Sequence, residues 1–186
     1  MLISITQITE DAQAFSVRGI FNTFVYPLNT IPMQEIPSRI IGFLTQPLII
    51  HVGTHNEKLH PWEMVGFGIK VADDKQSVTV YLPEKVAGAT VTNLKTTGKI
   101  AATVVYPPTH ESYQLKGEYI SHENSTAEEL AYQDEFLKNL NATMELIGVP
   151  PGFFDPVNYK PSLAVRFRVT DIFSQTPGPE AGKKIS

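Results

Sequence analysis

The stretch "KIAATVVYPPTHESYQLKGEY", residues 99–119, constrains the fold more than any other part of the chain. Its first eight residues are almost all small or β-branched, as in a strand buried on both faces at the centre of a sheet. Pro107 and Pro108 stop that strand, and "THES" turns the chain. Tyr113, Leu115, Gly117 and Tyr119 then alternate with Gln114, Lys116 and Glu118, which is the period of a second strand. Two strands so close in sequence pair antiparallel, because a parallel partner needs a crossover of about a dozen residues.

The same pattern recurs along the chain. "LIIHVGT" reads as a short strand closed by Gly53, followed by the polar loop "HNEKLHPWE". In "MVGFGIKV", Val65, Phe67, Ile69 and Val71 fall on one face, with Gly66, Gly68 and Lys70 leaving the other face bare. The acidic turn "ADDKQS" joins this run to "VTVYLP", so residues 64–83 read as a hairpin with a longer loop. A last strand, "SLAVRFRVTDIF", turns Leu163, Val165, Phe167 and Val169 inward and Arg166 and Arg168 outward.

Three segments read as helices. In "IPSRIIGFLTQP" Ser38 is the cap, Ile40, Ile41 and Leu44 form the apolar face, and Pro47 sets the limit. Residues 84–98 carry Val86, Ala87, Thr90, Val91 and Leu94 at helical spacing and end on Gly98. The longest helix opens on a capping box of Ser125 and Glu128, presents Leu130, Leu137, Leu140, Met144 and Ile147, and stops at Gly148 and two prolines. With mostly hairpin connections and few crossover helices, the expected architecture is a mostly β, antiparallel barrel with peripheral helices.

Composition bounds what this barrel does. The 186 residues, 42% of them apolar, suffice for one domain, here 1–186 with an N-terminal extension (1–35) that has no clean period and a Pro/Gly tail (174–186) that cannot hold regular structure. A net charge of −4 with dispersed basic residues argues against nucleic acid. The absence of cysteine removes disulfides and thiolate chemistry, and no run approaches the ~18 apolar residues of a membrane span. No membrane association and a cytoplasmic location are the expectation.

No phosphate loop, serine elbow, zinc-protease histidine pair or dinucleotide glycine fingerprint occurs. His51, His55 and His60 lie within ten residues, but solvated or packed histidines are the commoner outcome, and no metal is expected. Arg166 and Arg168 read as surface ion-pairing residues. His110 beside Glu111 suggests an acid and base, yet neighbours in a turn have no fixed mutual geometry, so the stretch reads as architectural.

Across residues 36–122, the order of short motifs resembles the pyridoxamine 5′-phosphate oxidase-like family of FMN-binding split barrels. These motifs are an early strand ending on Gly53 and Thr54 before a polar loop, a helix with Asn93 and Leu94, a small-residue strand, a proline turn and "YQLKGEY". The long helix and "AVRFRVTDIFSQTPGPEAG" resemble the C-terminal part of one uncharacterised branch. The resemblance implies a six-stranded antiparallel split barrel that works as a homodimer, with two FMN sites across the interface. It also implies oxidoreductase chemistry on a small-molecule substrate, with no catalytic residue identified. Its candidate cofactor contacts are Thr54, His55, Lys70, Lys85, Thr90, Asn93 and Gln114. Lys85 and Thr90 lie near a helix start, where anions are favoured, and Gln114 sits on an exposed strand face for a flavin or the dimer partner. The alternative is a non-catalytic module of the same fold that holds heme, a deazaflavin or no cofactor. The tail is expected to cover a cleft or the partner subunit.

Overall fold

A strand buried on one face needs alternating side chains, and the burial pattern of the computed structural model, which describes residues 35–155 and 157–185, follows that alternation closely. The strands are β1 (Ile49–His55), β2 (Pro61–Gly66), β3 (Ile69–Val71), β4 (Ser77–Pro83), β5 (Lys99–Tyr106), β6 (Glu111–Asn124) and β7 (Ser162–Ser174). Three α-helices accompany them: α1 (Ser38–Leu44), α2 (Gly88–Thr97) and α3 (Ala127–Glu145). The sequence reading of residues 1–34 lies outside the described residues.

All pairings are antiparallel, in the order β2-β1-β5-β6-β7-β4-β3. The two ends of that order are one stretch of chain. Between β2 and β3 only Phe67 and Gly68 intervene, and both bond to Tyr81 of β4, with Phe67 N–H to its carbonyl at 2.8 Å and its N–H to Gly68 O at 3.1 Å. The sheet therefore curls until β2 and β3 join its edges. The six strands expected correspond to seven segments because one strand is bent in the middle.

The core is the inside of this curl. Ile50, Val52, Val80, Leu82, Ala102, Val104, Leu115, Val165 and Phe167 have no accessible surface. Ile40, Phe43 and Leu44 of α1, Leu94 of α2, and Phe136 and Leu140 of α3 complete it. Phe43 packs edge-on against Tyr113 at 4.9 Å between ring centroids.

Several local expectations are corrected. β1 continues through Gly53 to His55, since a glycine on the outward face needs no turn. Along β2 and β3 Met64, Gly66 and Ile69 face inward, Phe67 is buried against Leu137 and Tyr159 instead, and Val65 is 44% exposed. Gly68, at φ +132°, breaks the alternation, so strict period-two counting fails across it. The glycine face is not bare either. A Cβ at Gly66 would lie 3.0 Å from Ile50 Cγ2, and one at Gly68 would lie 2.8 Å from a Tyr132 ring carbon.

The helices shift slightly. Pro37, not Ser38, precedes α1 at the cap position. In α3 the capping box is Thr126 with Glu129, one residue beyond the expected pair. Two overlapping boxes are written in "STAEE", and tertiary contact chooses between them: Ser125 is held on β7, accepting the Ser162 hydroxyl at 2.8 Å and bonding its own N–H to Ser162 O at 2.9 Å. Ile147 lies beyond α3 and is exposed, whereas Phe136 is buried. The segment read as one helix from residue 84 starts as a 3₁₀ turn, Glu84–Val86, before α2, and Gly98 ends it at φ +66° as expected.

The C-terminal segment has more order than its composition suggests. Gln175 N–H donates to Ser112 O at 2.8 Å, Gly182 N–H to Ser174 O at 2.7 Å and Ile185 N–H to Ile172 O at 2.7 Å. It doubles back along β7, and Lys184 pairs with Asp171 at 2.7 Å. Among the described residues no helix is long and apolar enough to cross a membrane.

Candidate functional site

The outward face of the sheet is built by the other half of the alternation. On β5 only the inward residues are fully buried, while Ala101, Thr103 and Val105 are half-buried, so the expectation of burial on both faces is met on one side. Register brings the outward residues into rows. Gly53 pairs with Ala101 and Ala101 with Lys116; one step along, His51 pairs with Thr103 and Thr103 with Gln114. The first row opens with the two smallest side chains, Gly53 and Ala101, before reaching Lys116, and a recess forms over it.

That recess has a volume of about 760 Å³, with Gly53 and Ala101 on its floor, Leu59 and Pro61 at one wall and Lys116 and Asp171 at another. A second recess of about 370 Å³, reaching His51, Glu63, Thr103 and Gln114, shares Gly53, Thr54, Pro61 and Ala101 with it. Together they form one groove across β1, β5 and β6. A Cβ placed on Gly53 would meet only Ala101 O, at 3.9 Å, so the missing side chain is groove space rather than a packing necessity.

Polar groups ring this floor. Gln114 Nε2 donates to Thr103 Oγ1 at 3.2 Å. His51 Nδ1 is bonded to a Glu63 carboxylate oxygen. Lys99 faces Glu118 directly across the strands at 3.0 Å. Lys116 rests its ammonium over the Phe173 ring, 4.6 Å from the centroid, a cation held at the groove edge by an aromatic face. Beside it, paired across β6 and β7, Asp171 is held below the usual carboxylate range by a hydrogen bond from Lys184 and a second from Thr170.

Of the residues that the resemblance implies, Thr54, His55 and Gln114 line this groove. Asn93 stands behind it, buried, with Nδ2 donating to Thr54 Oγ1 at 3.1 Å. The other three lie elsewhere. Lys70 sits over the Tyr132 ring at 4.2 Å beside α3. Thr90 is fully buried, its hydroxyl against Met64 Sδ at 3.1 Å. Lys85 is exposed on the 3₁₀ turn and does not line the groove. His55 Nδ1 is bonded to the backbone carbonyl of Asn56 at 2.9 Å, and among the described residues no group of three or more metal-binding side chains gathers.

Lys116, Ala101 and Leu59 are groove residues that the sequence reading did not select. The first two were within reach of it, since Lys116 shares the outward face with Gln114 and the short turn between β5 and β6 sets Ala101 beside it. Leu59 sits in a loop, where no period applies.

The groove's chemistry suits a flat, partly apolar ligand that carries an anionic group. Pockets for cofactor-sized ligands are of about 300–1,000 Å³, mostly apolar with a few placed polar groups. Lys116 and Lys99 supply cations for a phosphate, set beside the carboxylates of Glu118 and Asp171, the small floor admits a ring close to the backbone, and Gln114 supplies an amide at the ring's edge. FMN fits this donor set.

No protein-family model matches the chain, and no curated protein matches it. Solved structures do. An F420 reductase shares 13% identity at a TM-score of 0.52, covering 74% of this chain and 98% of its own. HupZ of Group A Streptococcus shares 16% at a TM-score of 0.48, covering 79% and 99%. A putative pyridoxamine 5′-phosphate oxidase from Lactobacillus delbrueckii shares 12% at 0.47, covering 78% and 97%. At these identities the likeness concerns the fold. It is a mostly β fold with peripheral helices, an antiparallel sheet curled into a half-barrel consistent with a split barrel.

Proposed function

We propose that the groove across β1, β5 and β6 binds FMN and that the protein is an FMN-dependent oxidoreductase acting on a small organic molecule. The observation that supports this most is the row Gly53, Ala101, Lys116, a side-chain-poor floor that ends on a cation. Bound FMN would supply the capacity to accept or donate a hydride. The chain's own residues bind and orient it. Lys116 and Lys99 attract the phosphate, the Gly53–Ala101 floor lets the ring approach the backbone, and Gln114, steadied by Thr103, offers hydrogen bonds at the ring edge. Asn93 holds Thr54 and with it the groove end of β1.

The same face supports a homodimer. Ala101 and Val105, half-buried on the outer face of β5, and Val65, exposed on the same face of β2, are apolar surface that a second copy would cover, closing the groove from water. Sedimentation velocity at micromolar concentration checks this, with a monomer as the contrary result.

Titration of the purified protein with FMN, followed by quenching of flavin fluorescence, tests the function. Saturable binding at micromolar FMN, with riboflavin weaker because it lacks the phosphate that Lys116 meets, is the expected outcome. No quenching at high FMN refutes it.

The pairing of His51 Nδ1 with Glu63 favours heme as the second reading, because a histidine so fixed presents its other nitrogen as an iron ligand. A Soret band that forms on adding hemin and is lost in His51→Ala, with no flavin binding, would select it. A deazaflavin in the groove would register as stabilisation in a thermal-shift screen.

A further inference from the structure

Leu59 stands at the groove wall in a conformation that a leucine rarely adopts. Its φ is +60°, the left-handed region, where a bulky side chain is disfavoured and glycine, asparagine or aspartate is usual. It is also 73% exposed, so in the chain as described no packing inside the barrel repays the strain.

The loop around it is well held. Asn56 Oδ1 accepts the Lys58 N–H at 2.9 Å and the His60 N–H at 3.0 Å. Asn56 O accepts the Leu59 N–H at 2.9 Å, and Asn56 N–H donates to His60 O at 3.1 Å. These bonds run through the backbone and the Asn56 side chain, so the turn would close equally well around a glycine. What leucine adds is an apolar side chain at the wall of the large recess, above the Gly53 floor and across from Lys116. Strain retained at a ligand-facing position, without a packing return, is a feature of binding and active sites.

We propose that Leu59 is a specificity-determining residue of the groove, an apolar wall on which the ligand's flat ring packs, held in place by the Asn56 turn. The inference rests on the reading of the groove as an FMN site. Leu59 selects for a planar, apolar ring system and has no part in holding the phosphate.

The test compares wild type, Leu59→Gly, Leu59→Asn and Leu59→Met by dissociation constant for FMN and riboflavin and by Tm. The glycine and asparagine variants relieve the backbone strain, so their Tm should equal or exceed that of wild type. Their affinity should fall about tenfold, the effect of losing one well-buried leucine contact. The loss should be equal for FMN and riboflavin, and Leu59→Met should keep most of the affinity. Wild-type binding with undiminished affinity in the glycine and asparagine variants overturns this role and leaves the FMN reading intact. A drop of several degrees in Tm for Leu59→Gly, or a loss confined to FMN, likewise overturns it. Absence of FMN binding by wild type removes both.

Discussion

The side-chain amide of Asn93 donates to the Thr54 hydroxyl at 3.1 Å, and both side chains are buried. This bond ties α2 to the end of β1, where the groove begins. Truncation by Asn93→Ala leaves the Thr54 oxygen without its donor, a loss of about 1–3 kcal/mol. For a chain of this size that corresponds to a fall in Tm of roughly 2–12 °C, measurable by circular dichroism. FMN affinity should weaken with it, and an unchanged Tm contradicts the assignment.

Gly53→Val separates groove from fold. The added Cβ meets only Ala101 O at 3.9 Å, and a β-branched residue suits a strand, so Tm should hold or rise slightly. The side chain fills the floor, and FMN affinity should drop tenfold or more. Retained affinity would show that the ligand does not approach this floor.

Gly117→Ala should do the reverse. A Cβ there would lie 2.1 Å from Arg168 O and 2.5 Å from Phe167 Cδ2, at the bulge where β6 and β7 shift register. Backbone must move, at about 3 kcal/mol or more. Gly42→Ala is the control: nothing lies within 4 Å of its added Cβ in α1, so that change should stabilise slightly. Equal Tm values for the two variants would contradict this geometry.

Asp74 links stability to pH. The Gln76 N–H first, then the Ser77 hydroxyl and N–H and the charge of Arg166, lower its pKa from 3.8 to about 2. Because the folded value is depressed, its contribution is complete above the unfolded value and is lost as pH falls through the folded one. The side chain is 42% exposed, so screening limits the effect to about 1 kcal/mol at neutral pH. The Tm difference between wild type and Asp74→Ala should shrink from about pH 5 toward pH 2. A difference that stays constant across that range would refute the assignment.

Removing residues 175–186 deprives Ser112 of two partners, the Gln175 N–H and the Thr176 hydroxyl, and Asp171 of Lys184. Tm should fall by a few degrees, and FMN should bind a few-fold more weakly, because the freed Asp171 charge then faces the anion. Both effects are absent if the segment merely rests on the surface.

Much of this molecule is legible in its sequence. The β5–β6 hairpin follows from alternation and a proline turn, and Gly98 marks the end of α2. Of the candidate cofactor contacts, Thr54, His55 and Gln114 line the groove. What is not legible locally shares a cause. Alternation breaks at Gly68, the second of two overlapping capping boxes forms, and Thr90 of α2 is fully buried. Each depends on contacts with residues far along the chain: Tyr81 and Tyr132 at Gly68, Ser162 at Ser125, and Met64 at Thr90.

The sequence by itself determined the antiparallel pairing, the inward apolar set of most strands and the stop of α2 at Gly98, because these follow from periods and turn chemistry within a few residues. Only the tertiary structure decided that β2 and β3 are one bent strand joining the sheet's edges. It alone decided that Gly53, Ala101 and Lys116 form one row and that Leu59 stands over it. Register across strands and the curl of the sheet set those distances, and both depend on packing the whole core at once.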